Sequence, residues 1–318
     1  MLLDIILLLV GLAMVVFGAD YLVEGASAIA RRLGLSEFII GLTIVGMGTS
    51  APEMVVSFIG AANGNADIAL GNVVGSNIFN TLLILGITAL LLPMPITKDN
   101  RKKDIPMNIL ITVMLILLGL EKTIFGFGTD GLSRIDGGIL LALFIAYMWH
   151  SFAQKDDVPE PAEGEKAVSP WLALLMIAGG LAGLIFGGNL FVDNATSIAH
   201  TLGVSDKFIA ITILAGGTSM PELATCVAAA VKKKGQLALG NIIGSNIFNV
   251  LLILGGSALI TPLSFVGISY VDLGALLVSA MALLTCCYVG KRNVLDKLDG
   301  ALFLLLWAAY MAYLIINL

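Results

Sequence analysis

The sequence predicts an all-α integral membrane protein, built as ten transmembrane helices in two inverted five-helix repeats with the N- and C-termini outside. Three observations predict it. Hydrophobic residues make up 58% of the 318 residues and charged ones only 12%, with a mean hydropathy of +1.00; a soluble domain carries about 25% charged residues. The apolar residues fall into ten long runs. Inside those runs two polar blocks occur twice. GMGTSAPE (46–53) and ALGNVVGSNIFN (69–80) return as AGGTSMPE (215–222) and ALGNIIGSNIFN (238–249). The offset is 169 positions, with no gap needed from Ser36 and Ser205 to Gly86 and Gly255.

Taken in order, the runs cover residues 2–23, 37–62, 68–93, 105–121, 135–152, 170–194, 206–231, 236–261, 265–290 and 298–317. A spanning helix needs about 20 mostly apolar residues. Continuous runs of this length exclude a barrel, whose strands alternate over about ten residues. The opening MLLDIILLLV has no basic n-region, so it reads as a retained span and not as a cleaved signal.

The basic residues set the orientation. With the N-terminus outside and the runs alternating, only Lys122, Arg134 and Lys207 of the 17 lysines and arginines fall outside. The second block pair begins five spans after the first, and five is odd. The two copies therefore run in opposite directions and are related by a pseudo-twofold axis in the membrane plane. This gives residues 1–153 and 170–318 as the two halves, carrying the repeat motifs at 36–86 and 205–255. Between them, residues 154–169 form a cytoplasmic linker whose prolines and acids (QKDDVPEPAEGEK) suit a solvated segment.

Glu53 and Glu222 lie deep in apolar runs. An ionised side chain there costs about 2.5–3.5 kcal/mol on the insertion scale. A single buried glutamate can be protonated and structural; two symmetric copies in one polar setting point to a binding role. Pro52 and Pro221 remove helical hydrogen bonds to the Gly48 and Gly217 carbonyls, which predicts a broken helix beside Thr49, Ser50, Thr218 and Ser219. On the partner helices Ser76 and Asn80 share a face, as do Ser245 and Asn249, and Asn72 and Asn241 extend these faces by one turn.

The inventory is oxygen alone: carboxylates, amides, hydroxyls and freed carbonyls. It suits Ca²⁺, which takes 6–8 oxygen ligands. Na⁺ can use the same oxygens, and Mg²⁺ is disfavoured because it keeps its waters. Thiols and imidazoles take no part. Cys226, Cys286 and Cys287 read as small core residues, and His150 and His200 as interfacial. Gly71, Gly75, Gly240 and Gly244 read as helix-packing positions. Asp20, Glu24 and Asp193 lie near span ends and read as structural or interfacial; Glu121 and Asp130 read as solvated loop charge. No basic patch with interleaved aromatics points to nucleic acid, no cofactor or obligatory protein partner is indicated, and no nucleophile–base set points to an enzyme.

The paired GTSxPE and GNxxGSNIxN blocks resemble the α-repeats of the sodium/calcium exchangers, within the cation/calcium antiporter superfamily. The short linker is similar to the prokaryotic form, which implies a multi-pass protein of the inner (cytoplasmic) membrane. The resemblance covers essentially the whole chain. It implies that Glu53 and Glu222 serve the central Ca²⁺ site and the flanking Na⁺ sites. Thr49, Ser50, Thr218, Ser219, Ser76 and Ser245 would add hydroxyl or backbone oxygens, and Gly46 and Ala215 their carbonyls. Asn80 and Asn249 would complete the central site. In several relatives one of these two positions is an aspartate; here both are asparagine, which argues against K⁺ co-transport and removes one negative charge. The function implied is Na⁺/Ca²⁺ antiport by alternating access, with Na⁺ entry driving Ca²⁺ out. A Ca²⁺/H⁺ (or other divalent cation) exchanger is the alternative, disfavoured by the hydroxyl-rich GTS blocks. A passive channel or an intramembrane enzyme fits the paired site less well.

Overall fold

The computed structural model describes residues 1–126, 128–153, 168–202, 215–265, 268–289 and 293–317. Residues 154–167 of the expected linker, the start of the seventh apolar run and Lys207 lie outside the described residues. Each of the ten runs contains helix where it is described. The main helices are α1 (Leu2–Leu33), α2 (Glu37–Thr49), α3 (Ala51–Ala62), α4 (Asp67–Leu91), α5 (Ile105–Gly119) and α6 (Arg134–Ala153). In the second half follow α7 (Pro170–Thr201), α8 (Met220–Val231), α9 (Gly235–Ile260), α10 (Tyr270–Cys286) and α11 (Lys297–Ile316). Among the described residues, α1, α4, α6, α7, α9 and α11 are each long and apolar enough to cross a membrane, and α2 with α3 make a seventh, bent span. Four two-residue strands tie loops together: Met94–Pro95 pairs with Val294–Leu295, and Gly131–Leu132 with Leu263–Ser264, both antiparallel.

Two helices are longer than their apolar runs. The first run ends at 23, yet α1 continues to Leu33; the sixth ends at 194, yet α7 reaches Thr201. At 1.5 Å per residue, 32 residues extend about 48 Å, beyond the ~30 Å hydrocarbon core. The extension of α1 is polar but still a good helix end. Arg31 and Arg32 occupy its last turn, where cations complement the helix dipole, and Gly34 closes it with φ 63°.

α1 and α7 lie antiparallel along a glycine seam. A Cβ on Gly11 would sit 2.8 Å from the Gly187 carbonyl oxygen, one on Gly18 2.8 Å from Gly180 O, and one on Gly25 2.7 Å from Ala173 O. The positions recur every seven residues on both helices. That spacing keeps one seam facing its partner, and small residues let the backbones touch.

Behind this pair, α4 and α9 form the centre: 94% of the apolar window of α9 is buried and 72% of that of α4, against 11% for α11 and 17% for α6. In α9 the glycines do pack tightly, as their spacing suggested. A Cβ on Gly240 would come 2.9 Å from Leu42 N and one on Gly244 2.7 Å from Leu42 Cα. For Gly71 and Gly75 the positions matching Phe38 and Leu42 are residues 207 and 211, outside the described residues.

The break expected before the repeated prolines is present. Ser50 (φ −81°, ψ 10°) and Ser219 (φ −88°, ψ 8°) interrupt the two helices at matching places. α2 and α3 bend by 48° there. A second irregularity was not anticipated. α4 and α9 each carry a π-helical turn, Phe79–Ile84 and Asn249–Leu254. Such turns insert an extra residue into the helix and gather at functional sites.

One ion-pair cluster ties α1 to the far end of α8. Lys232 Nζ lies 2.7 Å from both Asp20 and Glu24. Burial works to lower its pKa, but hydrogen bonds from the ammonium to the two carboxylates outweigh this and hold it above the ordinary lysine value. Its counterpart in the first half, Asn63, is uncharged.

Candidate ion-binding site

The interrupted helices bring each glutamate against the other half of the chain. Ser50 Oγ donates to Glu222 Oε1 at 2.9 Å, and Ser219 Oγ to Glu53 Oε1 at 3.0 Å. Within each half the central helix adds a hydroxyl: Ser76 lies 3.5 Å from Glu53 Oε1 and Ser245 3.4 Å from Glu222 Oε1. Thr49 Oγ1 donates to Asn241 Oδ1 at 3.1 Å, and Thr218 Oγ1 approaches Asn72 Oδ1 at 3.5 Å. Each of these three relations is matched by its partner 169 positions away.

Other contacts differ between the halves. Ser245 Oγ donates to the Gly46 carbonyl at 3.3 Å, which places that backbone oxygen in the cluster. Ala215 opens the helical turn Ala215–Gly217, directly after residues outside the described set. Asn72 Nδ2 donates to Ser57 Oγ and to the Glu53 carbonyl, both at 3.0 Å. In the second half Cys226 stands where Ser57 stands in the first, and Asn241 Nδ2 lies 3.3 Å from its sulfur.

Below the glutamates is a buried amide cluster. Asn80 Nδ2 donates to Asn246 Oδ1 at 3.2 Å, and Asn249 Nδ2 to Asn77 Oδ1 at 2.9 Å. Asn77 and Asn246 were not singled out in the sequence. The signal was available, since both belong to the repeated SNIFN block and stand three residues before Asn80 and Asn249, on the same helix face.

Several buried side-chain atoms lack a hydrogen-bond partner among the described residues, hydroxyls of Tyr147, Thr196, Thr225 and Ser257 included, and four of them are acceptor-only oxygens in the repeated blocks. Glu53 Oε2, Glu222 Oε2, Asn80 Oδ1 and Asn249 Oδ1 are buried without a hydrogen-bond partner. Their residues are 0–1% exposed. Among the described residues neither glutamate is paired with a lysine, arginine or histidine. A buried, unsatisfied acceptor costs about 1–3 kcal/mol, and more when charged. Four such acceptors in two symmetric pairs form an environment that a desolvated cation would relieve. No group of three or more His, Cys, Asp or Glu stands together among the described residues, so any cage must draw on hydroxyl, amide and carbonyl oxygens.

The same arrangement of chain is found in known proteins. A family model described as sodium/calcium exchanger protein matches residues 3–153 and 172–316. The chain belongs to the sodium/calcium exchanger family. It is 39% identical to CaxA of Alkalimonas amylolytica, over 98% of each chain. The sodium/calcium exchanger MaX1 of Methanosarcina acetivorans is 31% identical, again over 98% of each. The solved structure of the sodium-calcium exchanger NCX_Mj, soaked without Na⁺ and Ca²⁺, superposes with a TM-score of 0.85 at 33% identity, covering 98% of this chain and 99% of that one. This member of the exchanger family is thus an all-α, multi-pass membrane protein and a cation/calcium exchanger, not an enzyme.

Proposed function

We propose that the protein is a Na⁺/Ca²⁺ antiporter of the inner membrane that works by alternating access, with Na⁺ entry driving Ca²⁺ extrusion. The observation that carries this reading is the set of four orphaned oxygens, two from glutamates and two from asparagines, arranged as symmetric pairs. Glu53, Glu222, Asn80 and Asn249 would coordinate Ca²⁺ centrally. Thr49, Ser50, Ser76, Thr218, Ser219 and Ser245, with the carbonyls of Gly46 and Ala215, would complete sites for Na⁺. The two halves, 1–153 and 170–318, would be inverted five-helix units with both termini outside, which supports a single site at their interface.

The coupling follows from charge. Two carboxylates are neutralised by one Ca²⁺, so adding a Na⁺ load to bound Ca²⁺ would leave excess positive charge in a low dielectric. Each ion set therefore expels the other. With neither bound, two unpaired carboxylates oppose any rearrangement through the membrane, and this suppresses leak.

The test is uptake of radiolabelled Ca²⁺ into vesicles preloaded with Na⁺ or K⁺, or carrying a proton gradient. Uptake should require internal Na⁺ and vanish in Glu53→Gln and Glu222→Gln. Uptake driven by the proton gradient alone would replace Na⁺ with H⁺ as the coupling ion.

A further inference from the structure

An asparagine makes a conditional cation ligand. Its amide has an oxygen end and an NH₂ end of nearly the same shape, and a half-turn of the side chain exchanges them. Presented to a cation, the NH₂ end offers no lone pair and repels. An aspartate has no such problem, because both of its oxygens accept. A chain with asparagine at both position 80 and position 249 must therefore fix which end faces the site.

The amide cluster does this for Asn249 through an unbroken polarity. Asn77 Nδ2 lies 3.1 Å from the backbone carbonyl oxygen of Asn246, which can only accept. Asn77 must therefore turn its own oxygen the other way, and there it receives Asn249 Nδ2 at 2.9 Å. Asn249 Oδ1 is left pointing away from the cluster, as one of the orphaned oxygens. Reversing Asn249 would bring two oxygens face to face at a buried contact, and reversing both amides would bring Asn77 Oδ1 against the carbonyl. Asn77 is 2% exposed, so water cannot mend either mismatch.

Asn80 is held less firmly. It donates to Asn246 Oδ1, and Asn246 Nδ2 in turn meets Thr81 Oγ1 at 2.9 Å. A hydroxyl both donates and accepts, so that polarity is reversible. The second half has Val250 in place of Thr81, and there the one-way carbonyl takes over.

We infer that Asn77 is a positioning residue for the cation site: it locks the Asn249 amide with its oxygen toward the cation, and so lets an amide serve where a carboxylate would need no help. This rests on the ion-site reading above. The test compares Asn77→Ala in two backgrounds, the native chain and the Asn249→Asp variant, by the Ca²⁺ KM and maximal rate of exchange in Na⁺-loaded vesicles. In the native background Asn77→Ala should raise the Ca²⁺ KM about tenfold, the size of one ordinary polar contact (about 1.4 kcal/mol). In the Asn249→Asp background the same replacement should leave KM within about twofold or lower it, since Asn77 Oδ1 there opposes a second acceptor. If the Asn249→Asp variant does not turn over, the Ca²⁺ concentration giving half the Ca²⁺-induced thermal shift in detergent supplies the same comparison. Equal losses in both backgrounds, or none in the native one, would overturn the inference. A Glu53→Gln control separates the two levels: full exchange in that variant sinks the ion-site reading itself, whereas an inactive Glu53→Gln beside equal Asn77→Ala losses sinks only the role of Asn77.

Discussion

Ser50 and Glu222 belong to opposite halves of the chain, 172 residues apart, and their side chains meet at 2.9 Å. Ser219 and Glu53 repeat the relation at 3.0 Å. Neither glutamate is held by its own half alone, so separating the halves would strip both carboxylates of a donor at once.

The first prediction concerns that donor. A hydrogen bond to a charged group contributes about 1.5–3 kcal/mol, and 1.4 kcal/mol is tenfold in affinity. Ser50→Ala and Ser219→Ala should each raise the Ca²⁺ KM at least about tenfold, by similar amounts. Exchange assays on both variants check this; a large loss in one and none in the other would show that the symmetric contacts are not functionally equivalent.

A second prediction uses the place where the halves differ chemically. Asn241 meets the Cys226 sulfur as Asn72 meets the Ser57 hydroxyl. Cys226→Ser should preserve exchange, because the hydroxyl accepts the same N–H. Cys226→Val removes the acceptor and should weaken exchange several-fold by releasing Asn241 from Thr49.

The glycine seam gives a third. Gly18→Val places a side chain where even a Cβ would lie 2.8 Å from the Gly180 carbonyl and 2.9 Å from Leu184 N. Overpacking of this kind costs about 1–3 kcal/mol. The variant should lose thermal stability in detergent and transport slowly. Gly179→Ala, where an added Cβ meets nothing within 4 Å, should lose neither.

The fourth concerns the cluster of Lys232, Asp20 and Glu24. Partly exposed ion pairs contribute about 0.2–1 kcal/mol, so Lys232→Met should lower the thermal midpoint by a few degrees at most. The Lys232 pKa is raised above its ordinary 10.5. Its contribution is therefore complete below that value and is lost only as pH climbs through the raised one. The difference between wild type and variant should stay constant from about pH 6 to 9, a window set by this direction of shift. A difference that shrinks within the window would assign it to another group.

What the sequence made legible was whatever is both polar and repeated. Glu53 and Glu222 stand out because charge is costly in an apolar run, and Pro52 and Pro221 locate the breaks at Ser50 and Ser219 by removing an N–H. Asn77 and Asn246 are harder to see, because the four-residue spacing from Ser76 and Ser245 leads to Asn80 and Asn249, whereas these two amides stand three residues before them. The π turns that begin at Phe79 and Asn249 were invisible for a physical reason: they depend on packing in the centre of the bundle and not on local propensity. The lengths of α1 and α7 were underestimated because hydropathy ends where Asp20, Glu24 and Asp193 begin, while helix hydrogen bonding continues.

The burial of Glu53, Glu222, Asn80 and Asn249 has a consequence for how affinity is measured. Ions held at these atoms, whose residues are only 0–1% exposed, would have to enter through an opening of the site. In a rapid-mixing experiment the observed rate should level off at high ion concentration, at the frequency of opening. A titration read before that time has passed will report how often the protein opens and not how tightly it binds.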